Sequence, residues 1–241
     1  MNVLAIGNSF SQDAMTYLYR IARADGVDLK TTNLYIGSCS LERHYRNMLS
    51  GAPAYELQTN GQPTGFSVSL DEALLNRAWD VITLQQASPA SPDPDSYQPY
   101  AEALAEHIRK YVPKAKLVVH QTWAYEQGSQ KLETLGYTDH KAMFADLEHA
   151  YADMARQIGA DGIIPSGKLL QDMLTNGFER VHRDTFHASL GAGRYALGLL
   201  WYRTLTGNSV TDNPFADFDV PVPSDEVRSI KALVEKVKPI L

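Results

Sequence analysis

The chain has 241 residues, 44% of them hydrophobic, a formal net charge of −6 and a single cysteine. That length and apolar content suffice for one sizeable core, read as one domain over residues 1–241. The acidic balance, with no basic stretch interleaved with aromatics, argues against nucleic acid or an anionic membrane as partner. The lone Cys39 excludes an internal disulfide and a Cys-rich zinc site, and fits a reducing compartment.

Apolar runs of strand length alternate with amphipathic segments along the chain. Val3–Ile6 is a strand that runs into Gly7-Asn8-Ser9. Ala14–Asp25 follows as a helix, with Met15, Leu18, Tyr19 and Ala22 near helical spacing. Leu29–Ile36 is the second strand and Val81–Leu84 the third. The segment Ala87–Pro99 holds four prolines among Ser and Asp and reads as a loop over the site. Tyr97–Tyr111 is a helix, Leu117–His120 the fourth strand, and Lys141–Ile158 a long helix closed by Gly159 as its C-cap. Ile163–Pro165 is a short fifth strand, Gly191–Thr206 the next helix, Thr206–Pro223 an irregular crossing segment and Ser224–Val237 the last helix.

This alternation predicts right-handed βαβ units: a three-layer α/β/α, flavodoxin-like parallel sheet of about five strands. In such sheets ligands bind outside the carboxyl ends of the strands. Four polar segments fall there: Gly7-Asn8-Ser9, Gly37-Ser38-Cys39-Ser40, Gln85-Gln86-Ala87-Ser88 and His120-Gln121-Thr122-Trp123. No apolar stretch approaches the roughly 18 residues of a membrane span. Met1-Asn2 carries no basic region and Val3–Ile6 is too short for a signal-peptide core. The expected location is cytoplasmic if Met1 is the native start, and secreted or periplasmic if a leader was removed.

The chemistry is concentrated at the two ends. Ser9 lies at a strand-to-helix turn, where free backbone N–H groups and the positive end of the helix favour a developing negative charge. Far downstream stands Asp184-Thr185-Phe186-His187. A histidine can act as base toward a serine hydroxyl, and a carboxylate three residues earlier can orient the imidazole and stabilise its charge. Ser11 reads as a cap or first-turn residue, and His182 as a rim or surface histidine. No cluster of His, Asp or Glu has metal spacing, and the glycines near Gly7 lack a dinucleotide fingerprint, so neither metal nor cofactor is expected.

With Ile6-Gly7-Asn8-Ser9-Phe10 at one end and Asp184-x-x-His187 at the other, the chain resembles the SGNH/GDSL hydrolase superfamily over roughly Val3 to Gly207. It is nearest to the branch whose first block reads Gly-Asn-Ser-Phe rather than the usual Gly-Asp-Ser. The resemblance implies a serine esterase in which Ser9 is the nucleophile, His187 the base and Asp184 the residue that orients it. It also implies an oxyanion hole made by the backbone N–H of Ser9, a second-block backbone N–H at Ser38 (Gly37 otherwise), and a side-chain amide. The usual Gly-x-Asn-Asp segment is missing, and Gln86 aligns with the glutamine that replaces its asparagine in a carbohydrate-esterase branch, with Gln85 as second choice. His44, His120 and Trp123 are candidates for substrate binding, together with Tyr125, aromatic faces being suited to stacking on sugar rings.

The reaction so implied is removal of a small acyl group, acetyl first, from a carbohydrate hydroxyl, the partner being a small-molecule or oligosaccharide ester. Two other readings are a lipase-like or thioester hydrolase of short acyl chains, and a non-catalytic flavodoxin-like module that binds an anion at the helix start by Ser9. The polar loop Ala87–Pro99 speaks against the first, and the second leaves Asp184 and His187 without a task.

Overall fold

The computed structural model describes residues 1–238; the last three residues of the expected 1–241 domain lie outside it. In chain order the elements are β1 (Asn2–Gly7), α1 (Ser9–Met15), α2 (Leu18–Ala24), β2 (Lys30–Tyr35), α3 (Leu41–Ser50), β3 (Tyr55–Thr59) and β4 (Gln62–Val68). There follow α4 (Leu70–Leu75), β5 (Val81–Leu84), α5 (Tyr100–Tyr111), β6 (Lys116–Gln121), α6 (Gln130–Thr134) and α7 (His140–Gln157). The chain ends in β7 (Gly162–Pro165), α8 (Ser166–Thr175), α9 (Ala192–Thr206) and α10 (Ser224–Lys236).

The sheet has seven strands in the order β4-β3-β2-β1-β5-β6-β7, rather than about five. The parallel part, β2-β1-β5-β6-β7, has the expected flavodoxin-like order. The two additional strands form an antiparallel hairpin on the β2 edge. Their polar residues show little apolar alternation, which is why they do not stand out as strands. The signal is instead the turn: Asn60 and Gly61 both have positive φ, 53° and 80°, the Asn-Gly pairing of a type I′ hairpin.

Val3, Leu4, Ala5 and Ile6 of β1 are all fully buried, as a strand covered on both faces must be. One group of helices (α1, α2, α8, α9 and α10) packs together, and α3, α4 and α5 form another. Right-handed crossovers place helices that follow opposite directions of travel on opposite faces. Helix α9 is apolar all round because it is buried between its neighbours: Gly198 has no room for a Cβ, which would stand 2.8 Å from Ile21 Cδ1.

The helix expected over Ala14–Asp25 is two short ones starting at Ser9. The hydroxyl of Thr16 donates to the Gln12 carbonyl (2.8 Å) at their junction, a local bond that competes with the helical ladder and bends it. Helices α4, α6 and α8 are additional to the elements the sequence predicts. No helix among the described residues is long and apolar enough to cross a membrane.

Candidate active site

The chain leaves β1 for one side of the sheet and reaches β5 on the other, so the switch point lies between the carboxyl ends of these two strands. Ser9 stands there, at the first position of α1. Asn8 is the N-cap: its Oδ1 accepts from Phe10 N–H (3.0 Å), and Ser11 Oγ accepts from Asn8 N–H (3.1 Å), a reciprocal capping box. Ser11 is therefore a cap residue, as read. Gly7 is required by close approach, since a Cβ there would lie 2.3 Å from Ser11 Oγ. Asn8 Nδ2 also donates to the Cys39 carbonyl (3.1 Å), a bond an aspartate could not make.

The structure brings Ser9 and the Asp184–His187 turn together. Ser9 Oγ lies 2.8 Å from His187 Nε2, and His187 Nδ1 lies 2.8 Å from Asp184 Oδ2. The carboxylate accepts at Nδ1, so Nδ1 carries the proton and Nε2 accepts from the serine hydroxyl. Asp184 Oδ1 also takes the His187 backbone N–H (2.9 Å), so one carboxylate holds both ring and main chain. Burial alone would raise the Asp184 pKa, but the two hydrogen bonds from His187 and the charges of His187 and Arg183 hold it below the usual carboxylate value.

Between these residues Thr185 has φ +74°, which β-branched side chains avoid and which costs about 1–3 kcal/mol. Outside bonds keep the turn in this form. Glu126 N–H donates to the Thr185 carbonyl (2.7 Å), and the Trp123 indole N–H to the Phe186 carbonyl (2.7 Å).

A residue absent from the sequence expectations ties this turn to the helix of Ser9. Asp13, fully buried and four residues after Ser9, pairs with Arg183 (2.9 Å) and Arg194 (2.8 Å) and accepts from Ala188 N–H (3.2 Å). A buried carboxylate persists where it is paired and hydrogen-bonded throughout. The available signal was an acidic residue one turn past Ser9 and an arginine next to Asp184.

Several expected substrate residues are elsewhere. His44 is fully buried, stacked on Tyr55 with Nδ1 3.0 Å from its hydroxyl, and burial, helped by the Arg43 charge, pushes its pKa down to about 3. His120 is fully buried between Gln85 and Ser166 and is likewise held at about 3 by burial. Trp123 and Tyr125 are buried as well; Trp123 stacks on Phe10 and Tyr125 bonds Ser88. None of these four offers a face to a sugar. His182 is half-buried and bonds the Ala124 carbonyl (3.1 Å); burial brings its pKa to about 4.

Nor does Gln86 point a free amide at the site. Both its donor contacts go to Ser96 (O at 2.9 Å, Oγ at 3.1 Å), while its Oε1 accepts from Leu41 N–H (3.0 Å) and Ala87 N–H (2.8 Å). It staples the start of α3 to the loop after β5. Gln85 is committed to Asn8 and His120. Ser38 fares better: it sits at φ +54° in the turn closed by Cys39 N–H to the Ile36 carbonyl (3.2 Å), so serine adopts the left-handed conformation usual for glycine. Neither Ser9 N–H nor Ser38 N–H has an acceptor among the described residues. No group of three or more His, Cys, Asp or Glu among them could hold a metal ion.

The fold is that of SGNH-type hydrolases. A candidate SGNH hydrolase from Slackia heliotrinireducens superposes with a TM-score of 0.64 at 22% identity, over 85% of this chain and 98% of its own. The acetylxylan esterase Axe2 from Geobacillus stearothermophilus does so with a TM-score of 0.57 at 12% identity, over 84% and 92%. Much nearer is a DUF4886 protein from Bacteroides uniformis ATCC 8492, at 34% identity and a TM-score of 0.90, over 97% of this chain and 93% of its own. The model of that family, a domain of unknown function, matches residues 2–232, and the chain belongs to it. A comparison with curated proteins finds no match.

Proposed function

We propose that the protein is a serine esterase that removes a small acyl group, acetyl first, from a carbohydrate hydroxyl. The observation that carries the reading is the unbroken row Ser9 Oγ, His187 Nε2, His187 Nδ1, Asp184 Oδ2, both of its hydrogen bonds 2.8 Å long, at the switch point of the sheet. Ser9 Oγ attacks the ester carbonyl while His187 Nε2 takes its proton, and Asp184 stabilises the imidazolium. The N–H groups of Ser9 and Ser38 receive the tetrahedral oxyanion, each such donor contributing on the order of 3 kcal/mol to the barrier. The intermediate collapses as His187 returns the proton to the departing alcohol. Water, deprotonated by His187, then releases the acid from the acyl-enzyme. The carbohydrate alcohol is drawn from the acetylxylan esterase among the proteins of this fold, not from the buried aromatics at 123 and 125.

The test is hydrolysis of p-nitrophenyl acetate, butyrate and octanoate by wild type, Ser9→Ala and His187→Ala. Acetate turnover should fall by at least about a thousandfold in both variants, and in wild type turnover should drop steeply with chain length. Turnover unaffected by Ser9→Ala overturns the mechanism, and a preference for octanoate replaces the deacetylase with a lipase-like enzyme. Acetylated xylo-oligosaccharides, assayed for released acetate, test the alcohol.

A further inference from the structure

The turn Asp184–His187 belongs to no helix or strand of the sheet, yet it must hold His187 within hydrogen-bond reach of Ser9. The peptide joining Phe186 to His187 is bonded on both sides: its N–H goes to Asp184 Oδ1 (2.9 Å) and its carbonyl receives the Trp123 indole N–H (2.7 Å). That peptide plane sets the direction in which the His187 side chain leaves the main chain. Glu126 N–H holds the neighbouring carbonyl of Thr185; of these two donors to the turn's carbonyls, Trp123 is the one that also reaches the helix of Ser9, beside the separate Asp13–Arg183 tie. Its ring stacks on Phe10, the residue after Ser9, with centroids 4.1 Å apart and planes 27° from parallel. Phe10 in turn lies 5.8 Å from the His187 ring. Trp123 is 1% exposed, so no substrate can rest on it.

We propose that Trp123 is a positioning residue of the Ser9–His187–Asp184 site. Its indole N–H orients the peptide that carries His187, its ring orients the helix that carries Ser9, and one rigid side chain thereby sets the separation of base and nucleophile. The proposal rests on the serine esterase reading given above. Displacements of about 1 Å in a reacting pair cost roughly a hundredfold in rate, and loss of outer hydrogen bonds about 10- to 100-fold.

Trp123→Phe keeps a ring against Phe10 and deletes only the donor. It is expected to lower kcat on p-nitrophenyl acetate about 10- to 100-fold with KM within about threefold, and to slow labelling of Ser9 by a fluorophosphonate equally. It should also shift or broaden the low-field proton resonance of His187 Nδ1–H, which a loss of packing alone would not move. Phe10→Leu removes the stack and keeps the donor; it should lower kcat while moving that resonance only by the small ring-current change of the lost phenyl and without broadening it, and it carries the test if Trp123→Phe does not fold. Wild-type kcat in either variant, or a slowed Trp123→Phe enzyme with an unchanged resonance, overturns the proposal. A wild type in which the fluorophosphonate does not label Ser9 overturns the esterase reading, and this proposal with it. Labelling of wild type and Trp123→Phe at equal rates overturns the positioning role alone.

Discussion

The carboxyl end of the sheet holds two rows of side chains with the same outline: Ser9–His187–Asp184 and, sealed in the core, Ser166–His120–Gln85. In both, serine Oγ faces histidine Nε2, at 2.8 Å and 3.1 Å, and an oxygen faces Nδ1, at 2.8 Å and 2.7 Å. Both histidines hold the same tautomer, because Gln85 donates its amide to Asn8 and turns its Oε1 to His120. The rows differ in charge and access. His187 is partly open and faces a carboxylate, whereas His120 is fully buried and faces a neutral amide. A proton on His187 is met by Asp184; one on His120 meets no charge from its hydrogen-bond partners, which is why burial holds that imidazole near 3. A serine–histidine hydrogen bond is thus only a shape; on the proposed esterase reading, the carboxylate and the exposure are what fit one row and not the other for proton transfer.

The comparison breaks most directly at the third member. Asp184→Asn gives the open row a neutral amide as its third member, as in the sealed one, and kcat for p-nitrophenyl acetate should fall about 10³- to 10⁴-fold. The half-exposed carboxylate leaves thermal stability nearly unchanged, so a melting curve measured beside the kinetics separates the two effects. A loss under tenfold would mean that charge is not what distinguishes the rows.

The converse substitution, His120→Gln, should act on stability rather than chemistry. It strands buried polar partners and vacates a ring set edge-on to Trp201 at 4.8 Å, so urea unfolding should show a loss of about 2–4 kcal/mol. Activity per folded molecule should stay within threefold of wild type.

Acid sharpens the same contrast. His44 and His120 have folded pKa values near 3, below the unfolded value near 6.5, so the unfolded chain binds their protons first. Their contribution is complete above about pH 6.5 and is lost progressively as pH falls toward 3, at about 1.4 kcal/mol per pH unit for each histidine. Urea midpoints at pH 7.5, 5.5 and 4.5 should decline in wild type and decline less steeply in His120→Gln.

The smallest effect is expected at the inner serine. Ser166→Ala should cost about 1–2 kcal/mol for the acceptor left on His120 and leave ester hydrolysis within twofold. A large loss of activity there, assayed as for Ser9→Ala, would exchange the roles of the two rows.

Much of the frame was legible in the chain itself. The five parallel strands were visible because a strand buried on both faces is a short apolar run, as Val3–Ile6 and Val81–Leu84 are. Ser9, Asp184 and His187 stood out because a serine after a strand and an Asp-x-x-His are local patterns. The hairpin β3–β4 escaped because its strands are polar and half-exposed, although Asn60-Gly61 marked its turn.

What only the tertiary structure decided is which polar side chains look outward. Gln86, His120 and Trp123 lie at or just past strand ends, the place where ligands bind, and His44 in the helix that follows β2, yet each is enclosed by partners from elsewhere in the chain: Ser96, Ser166, Phe186 and Tyr55. A sequence shows that a residue can hydrogen-bond; whether its donors reach a ligand or a neighbour depends on contacts across the fold. Asp13 shows the same in reverse. Its carboxylate is one acidic residue among many in the chain, and only its burial against Arg183 and Arg194 makes it the tie between the helix of Ser9 and the turn of His187.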